Sequence, residues 1–172
     1  KIYSPEEAMP AEARERYYNQ KVRQVVRFAY ENAPAVKDRL DKAGVKPSQI
    51  RTVTDLPRIP FFSREEIIEL QRVNPPYGGL LAMPVASLYR IIYSPGPIYV
   101  PVGSVDYCLS ARKILFAVGL RRGDMTILSM PPLFMAGAST VDAMAMDGIV
   151  GVLAGTGNTE LQVSMIRDLG IK

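Results

Sequence analysis

The stretch with the most chemical promise is Arg90-Ile91-Ile92-Tyr93-Ser94-Pro95-Gly96-Pro97-Ile98-Tyr99-Val100-Pro101. An apolar, β-branched run enters it, a Ser/Pro/Gly turn interrupts it, and a second short extended run leaves. A strand that breaks and returns in this way can hold main-chain groups over an anion such as phosphate. Pro95 and Pro97 each withdraw one backbone N–H from the same turn. Two readings stay open: an anion-gripping loop, or a β-turn that merely joins two extended segments. Other chemistries are excluded for this chain by itself. It contains no histidine, which rules out Ser-His-Asp and Cys-His catalysis and histidine-ligated metals. Its one cysteine, Cys108, precludes an internal disulfide and fits a reducing cytoplasm. The position of Cys108 on an amphipathic helical pattern reads as an inert thiol.

The elements around that stretch are punctuated by proline, glycine and short polar residues. Ser4-Pro5-Glu6-Glu7 has the form of a capping box with proline at the first helical position. A long helix over 11–32 is expected to bury Tyr18, Val22, Val25, Val26 and Ala29. Pro34 stops it, and a shorter helix over 35–43 closes at Gly44. Residues 45–62 read as a loop with helical turns, one of them over 47–50. Ser63-Arg64-Glu65-Glu66 is a second capping box, opening a helix to about Val73 that packs through Ile67, Ile68 and Leu70. Asn74-Pro75-Pro76-Tyr77-Gly78-Gly79 ends it, and the domain boundary is expected there.

Beyond that turn the pattern changes. A strand is expected over 87–93. A helix over 104–118 follows, capped by Ser104, with Tyr107, Ala111, Ile114, Leu115 and Val118 on one face. Then come a strand over 125–129, a small-residue helix to about Met146, a strand over 149–153 and a helix over 159–169 ending at Gly170. The expected class is therefore α/β: a helical N-terminal region (1–79), then part of a mostly parallel sheet with helical crossovers (80–172). The alternation would call for another strand after Lys172, so the chain is expected to be a piece of a larger domain. A cut sheet would leave an unpaired edge and exposed apolar surface, through which the protein would form homo-oligomers.

The totals are those of a globular protein: 172 residues, 48% hydrophobic, 22% charged, net charge +4. The early basic residues Arg14, Arg16, Lys21, Arg23, Arg27, Lys37, Arg39 and Lys42 alternate with carboxylates on helical patterns. They read as a solvated face, and with no aromatic interleaving no nucleic-acid partner is expected. No apolar run approaches the ~18 residues of a membrane span.

Several phrases, taken together and in order, resemble the N-terminal part of phenylacetate-CoA ligases within the AMP-forming adenylating enzymes. They are Val26-Arg27-Phe28-Ala29-Tyr30-Glu31-Asn32-Ala33-Pro34, Ala43-Gly44-Val45 and Thr54-Asp55-Leu56-Pro57-Arg58-Ile59-Pro60-Phe61, followed by Gly119-Leu120-Arg121-Arg122-Gly123-Asp124 and Gly157-Asn158-Thr159-Glu160-Leu161-Gln162. The resemblance implies an enzyme that joins an aryl or aryl-acetic carboxylate to ATP as an acyl-adenylate, releases pyrophosphate, and passes the acyl group to CoA. It implies ATP, CoA and Mg²⁺ for the whole protein, and a small aromatic carboxylic acid as substrate.

By position, the resemblance places the phosphate loop at Ser94 and Gly96. This version is degenerate, since Pro95 and Pro97 replace hydroxyl residues and Val100 stands where the family has lysine. The aromatic-acid pocket maps to Phe134, Met135, Ala136 and Gly137; Phe134 would stack on a ring and the two small residues would give it room. The same side chains could instead be ordinary core. Gly157, Asn158 and Thr159 open a helix, either as an anion site or as a plain cap. The family's adenine- and ribose-binding motifs, and the C-terminal domain with its adenylation lysine, lie downstream of these phrases. The chain alone is therefore expected to be inactive, with no catalytic residue of its own. A non-catalytic relative of the fold, acting as a binding or scaffold protein, is the alternative.

Overall fold

Helix ends in the computed structural model, which describes residues 2–171, fall where prolines, glycines and polar caps put them. The chain divides into two units. One runs to Leu88 and takes in Gly96–Tyr99; the other comprises Tyr89–Pro95 and the chain from Val100 onward. The break at Leu88–Tyr89 comes later than the Asn74–Gly79 turn.

In the first unit, helix α1 (Ala11–Asn32) starts after Pro10, and Pro34 opens helix α2 (Pro34–Lys42). Gly44, at φ +65°, turns the chain so that Val45 N donates to Leu40 O at 2.9 Å. Val26, Leu40, Val45 and Ile50 form the core, with Val22, Tyr30, Val36 and Ile59 packed against it. The stripe expected on α1 is narrower than its periodicity suggested: Val25 is 63% and Tyr18 51% exposed. Val25 lies about 100° round the helix from Val26, so a contact face centred on Val26 turns it outward. Ser4 makes no side-chain cap to the Pro5–Ala8 turn; Glu7 instead accepts from Tyr3 N at 2.9 Å. Residues Val53–Arg58 form a 3₁₀ turn, anchored by Asp55, whose Oδ2 accepts from the N–H groups of Arg51 and Thr52, each at 2.9 Å. Those bonds hold the Asp55 carboxyl below its usual range.

Helix α3 (Arg64–Val73) carries the expected box: Glu66 N donates to Ser63 Oγ at 3.1 Å, and Ser63 N to Glu66 Oε2 at 2.8 Å. Its buried residue is Gln71, while Ile67, Ile68 and Leu70 are half-buried. Gln71 bonds both backbone groups of Tyr99, donating to its carbonyl at 2.8 Å and accepting from its N–H at 2.9 Å. One amide side chain thereby supplies the pairing that a neighbouring strand would give.

In the second unit, strand β1 (Arg90–Ser94) forms a two-stranded sheet with β2 (Ile98–Val102), whose Ile98 and Tyr99 group with the first unit. This departs from the expected place of β1 in a parallel sheet. The turn Pro95-Gly96-Pro97 delivers the nearest strand in the chain, and a short loop costs least to close. Ser104 accepts from Asp106 N at 3.2 Å and caps a 3₁₀ turn (Val105–Cys108) that leads into helix α4 (Leu109–Ala117). Strands β3 (Met125–Leu128) and β4 (Val150–Leu153) pair in parallel from Met125↔Val150 to Leu128↔Leu153, with helix α5 (Met135–Asp147) as the crossover. Helix α6 (Thr159–Leu169) follows and ends at Gly170, φ +61°. The α/β class is as expected.

Cys108, Leu115, Leu128, Ala143, Met144 and Ile149 make the core of this unit. Ile114 and Val118, expected inward on α4, are 62% and 69% exposed, because Cys108 and Leu115 define the buried face. Burial pushes the Cys108 thiol up, as suits an inert sulfur. Val150, Leu153, Val163 and Ile166 are also exposed, so apolar surface is left on β4 and α6. Among the described residues no helix is long and apolar enough to cross a membrane.

Candidate functional site

Parallel strands send their following loops out at one end, and in open α/β sheets that carboxyl end is where ligands bind. The paired ends here are Leu128 and Leu153. From them depart the loop over 129–134, which carries Phe134, and the loop over 154–158, which carries Gly157 and Asn158. Leu128 O accepts from Ala154 N at 3.1 Å and from Gly155 N at 3.2 Å, tying the two exits together. Strand β1 joins them at its own carboxyl end. Tyr93 N donates to Leu133 O at 3.3 Å, Tyr93 bridges Phe134 in parallel, and the two rings lie 6.4 Å apart. Ser94 follows directly, half-buried. Stretches distant in sequence thus leave adjoining strand ends.

Phe134 is half-buried, while Met135 is 41% exposed and Ala136 is exposed. Gly137 differs from its expected role. It is buried, and a Cβ there would run into the Pro131 carbonyl and sit 3.0 Å from Pro132 Cα. The space a side chain would need holds the protein's own loop, so Gly137 lets that loop lie on α5 instead of making room for a ligand. At the third stretch, Asn158 caps α6 by accepting from Leu161 N at 3.4 Å, and Gln162 Nε2 reaches back to Gly155 O at 2.6 Å. The capping role of Asn158 is therefore realised.

The turn between β1 and β2 exposes Pro95, Gly96 and Pro97. Gly96 has φ +154°, and a Cβ on it would collide with the Arg64 guanidinium, whose Cζ would lie 3.0 Å away. Arg64 opens α3, and among the described residues it has no carboxylate partner. A cation at a helix N-terminus is unfavourable for the helix dipole, so helix stability does not account for this placement. Sequence reading missed Arg64, seeing it only as a letter inside a capping box.

A buried polar network fixes β1 from behind. Asp142 on α5 is only 5% exposed. Its Oδ1 accepts from Arg90 Nη2 at 2.7 Å and its Oδ2 from the Tyr107 hydroxyl. Burial first, and then the bond to Asp142, push the Tyr107 hydroxyl well above its ordinary value, so it stays a donor. Arg112 clamps Asp147 with Nε at 2.8 Å and Nη2 at 2.6 Å, joining α4 to α5. Only an Asp in an otherwise small and apolar helical run hinted at Asp142. The Gly119–Asp124 phrase is structural: Arg121 N donates to Asp124 Oδ2 at 2.7 Å, and its guanidinium stacks 3.8 Å over Phe116.

No protein-family model matches the chain. It is 31% identical over 177 residues to a phenylacetate-coenzyme A ligase of Thermus thermophilus, covering 97% of this chain and 38% of that protein. The corresponding enzyme of Pseudomonas putida is 28% identical, with 97% and 39% covered. The chain thus spans under two-fifths of the length of these relatives. Among solved structures, a 2-hydroxyisobutyryl-CoA ligase bound to its acyl-AMP superposes with a TM-score of 0.82 at 22% identity, over 94% of this chain and 35% of that one. A second structure of that ligase, in an open conformation with the acyl-AMP and CoA, gives the same TM-score.

Proposed function

Because the chain is phenylacetate-CoA ligase-like along 97% of its length, we propose that it is the N-terminal part of an AMP-forming ligase. The full protein activates an aryl or aryl-acetic carboxylate and transfers it to CoA, in the cytoplasm. The carboxylate oxygen attacks the α-phosphorus of ATP, pyrophosphate leaves, and the CoA thiol then displaces AMP from the acyl carbon. Carboxylates resist nucleophiles, and a phosphoanhydride supplies the leaving group they lack. The observation that carries this reading is the convergence of the Ser94, Phe134 and Gly157–Asn158 stretches on adjoining strand ends.

This part of the protein binds and orients. Arg64, whose guanidinium lies against Gly96, brings a positive charge to the turn, which supports phosphate binding there. The half-buried Phe134 ring beside Tyr93 supports an aromatic acid as the substrate. Magnesium, when bound with ATP, neutralises phosphate charge. Among the described residues no group of three His, Cys, Asp or Glu side chains is arranged to hold a metal ion. Turnover needs the rest of the enzyme.

A second reading, a non-catalytic binding relative, draws on Pro95, Pro97 and Val100. Charge-assisted hydrogen bonds are worth about 1.5–3 kcal/mol each, and several are missing from this turn. ATP–pyrophosphate exchange by the full-length protein with aryl acids separates the two. The ligase reading expects acid-dependent exchange that falls at least about tenfold in Arg64→Gln, the loss of one such bond. The binding reading expects no exchange from the folded wild type.

A further inference from the structure

The first unit has a hollow of about 250 Å³ lined by Arg23 and Arg27 of α1, by Pro47, Ser48 and Ile50, and by Arg51. Three arginines line it, with no acidic residue among the lining. Two of them are set in place by neutral partners: Arg23 Nη1 donates to Arg51 O at 2.9 Å, and Arg51 Nε to Ser48 O at 3.2 Å. Carbonyls fix these side chains without cancelling their charge. Among the described residues Arg27 has no hydrogen-bond or ion-pair partner. Arg23 and Arg27 stand one helical turn apart, a like-charge spacing that weakens a helix. Asp55 is close in sequence, but its Oδ2 is committed to the Arg51 and Thr52 N–H groups. A larger groove in the same unit, about 530 Å³ around Arg39 and Lys42, has its charges matched within itself: Arg39 pairs with Glu66 at 2.9 Å and Lys42 with Asp38 at 2.7 Å.

We infer that the three-arginine hollow is a binding site for a small, multiply charged phosphate, inorganic phosphate or pyrophosphate. Planar guanidinium forks match phosphate oxygens two at a time. Pockets for larger ligands begin at about 300 Å³. This one also lacks an aromatic wall on which a nucleotide base could stack, its apolar lining being Pro47 and the fully buried Ile50. The inference does not depend on the ligase reading.

The test is calorimetric titration of the full-length protein with pyrophosphate, and separately with inorganic phosphate, at low ionic strength. Arg27→Glu is expected to weaken binding at this site at least about tenfold, the worth of one charge-assisted contact, while Arg27→Lys, which keeps the charge but loses the fork, weakens it less. Arg27 is exposed and unpaired, so both variants fold, which circular dichroism checks. Arg64→Gln must leave the Arg27-sensitive component intact, while Arg27→Glu must leave ATP–pyrophosphate exchange intact; failure of the ligase reading and of this one are then separate results. Equal affinity in wild type and Arg27→Glu overturns the inference. So does a wild type that ignores both phosphates yet binds a polyglutamate peptide, because the hollow would then be a surface for an acidic protein.

Discussion

Replacing Asp142 by alanine removes the carboxylate that holds Arg90 at the start of β1 and Tyr107 ahead of α4. Breaking a buried ion pair from one side costs about 3–5 kcal/mol. The Arg90 side chain is 36% exposed, so water recovers part of its loss; the Tyr107 hydroxyl, left without its acceptor, adds about 1–3 kcal/mol. We expect a net destabilisation of about 3 kcal/mol for Asp142→Ala. Asp142→Asn keeps an acceptor oxygen and loses the charge, so about 1–2 kcal/mol is expected. Urea unfolding of the full-length protein at pH 7, followed by circular dichroism, reads both values. A cycle with Tyr107→Phe should show a coupling energy above about 0.5 kcal/mol. Asp142→Ala costing less than about 1 kcal/mol, or additive single variants, would refute the network as the brace of β1.

Gly137→Ala should destabilise by about 1–3 kcal/mol, because its Cβ meets the immovable backbone of Pro131 and Pro132; a stabilised variant in thermal unfolding would contradict that packing. Glu66 lies below its usual carboxylate range, chiefly through the Ser63 N–H and then through Arg39. Its contribution is present above the ordinary glutamate value of 4.5 and is lost as pH falls through its lowered folded value. Acid unfolding of Glu66→Gln should be less steep below pH 4.5 than that of wild type, and superimposable curves would exclude the linkage. Val100→Lys alone should not tighten nucleotide binding over wild type, since Pro95 and Pro97 still lack N–H donors; a higher ATP affinity of the variant by equilibrium dialysis would speak against that view of the turn.

Local signals carried far in this sequence. Ser63 with Glu66, Pro34, Gly44, Ser104 and Gly170 act within one helical turn, and each marks a helix end where its chemistry requires. Partners distant in sequence were not legible in the same way. The run around Ile92 and the turn after it announce a strand that returns as β2, but not the parallel bridge that Tyr93 makes to Phe134. Gln71 looks like a solvent-facing residue of an amphipathic helix until Tyr99 arrives beside it. Arg64 and Asp142 gain meaning only from Gly96 and Arg90, contacts across 32 and 52 positions. Periodicity located the apolar faces of α1 and α4 but overstated their width, as Val25 and Val118 show. The candidate loops were identified by resemblance, and their meeting at the ends of β1, β3 and β4 came from the fold.

The most direct test mixes the full-length protein with ATP, magnesium and phenylacetate, omits CoA, and looks by mass spectrometry for the mixed anhydride of the acid with AMP. An adenylating ligase forms this species only when both the acid and ATP are present, and less of it is expected in Arg64→Gln. A folded protein that forms no adenylate from any aryl or aryl-acetic acid would contradict the ligase reading.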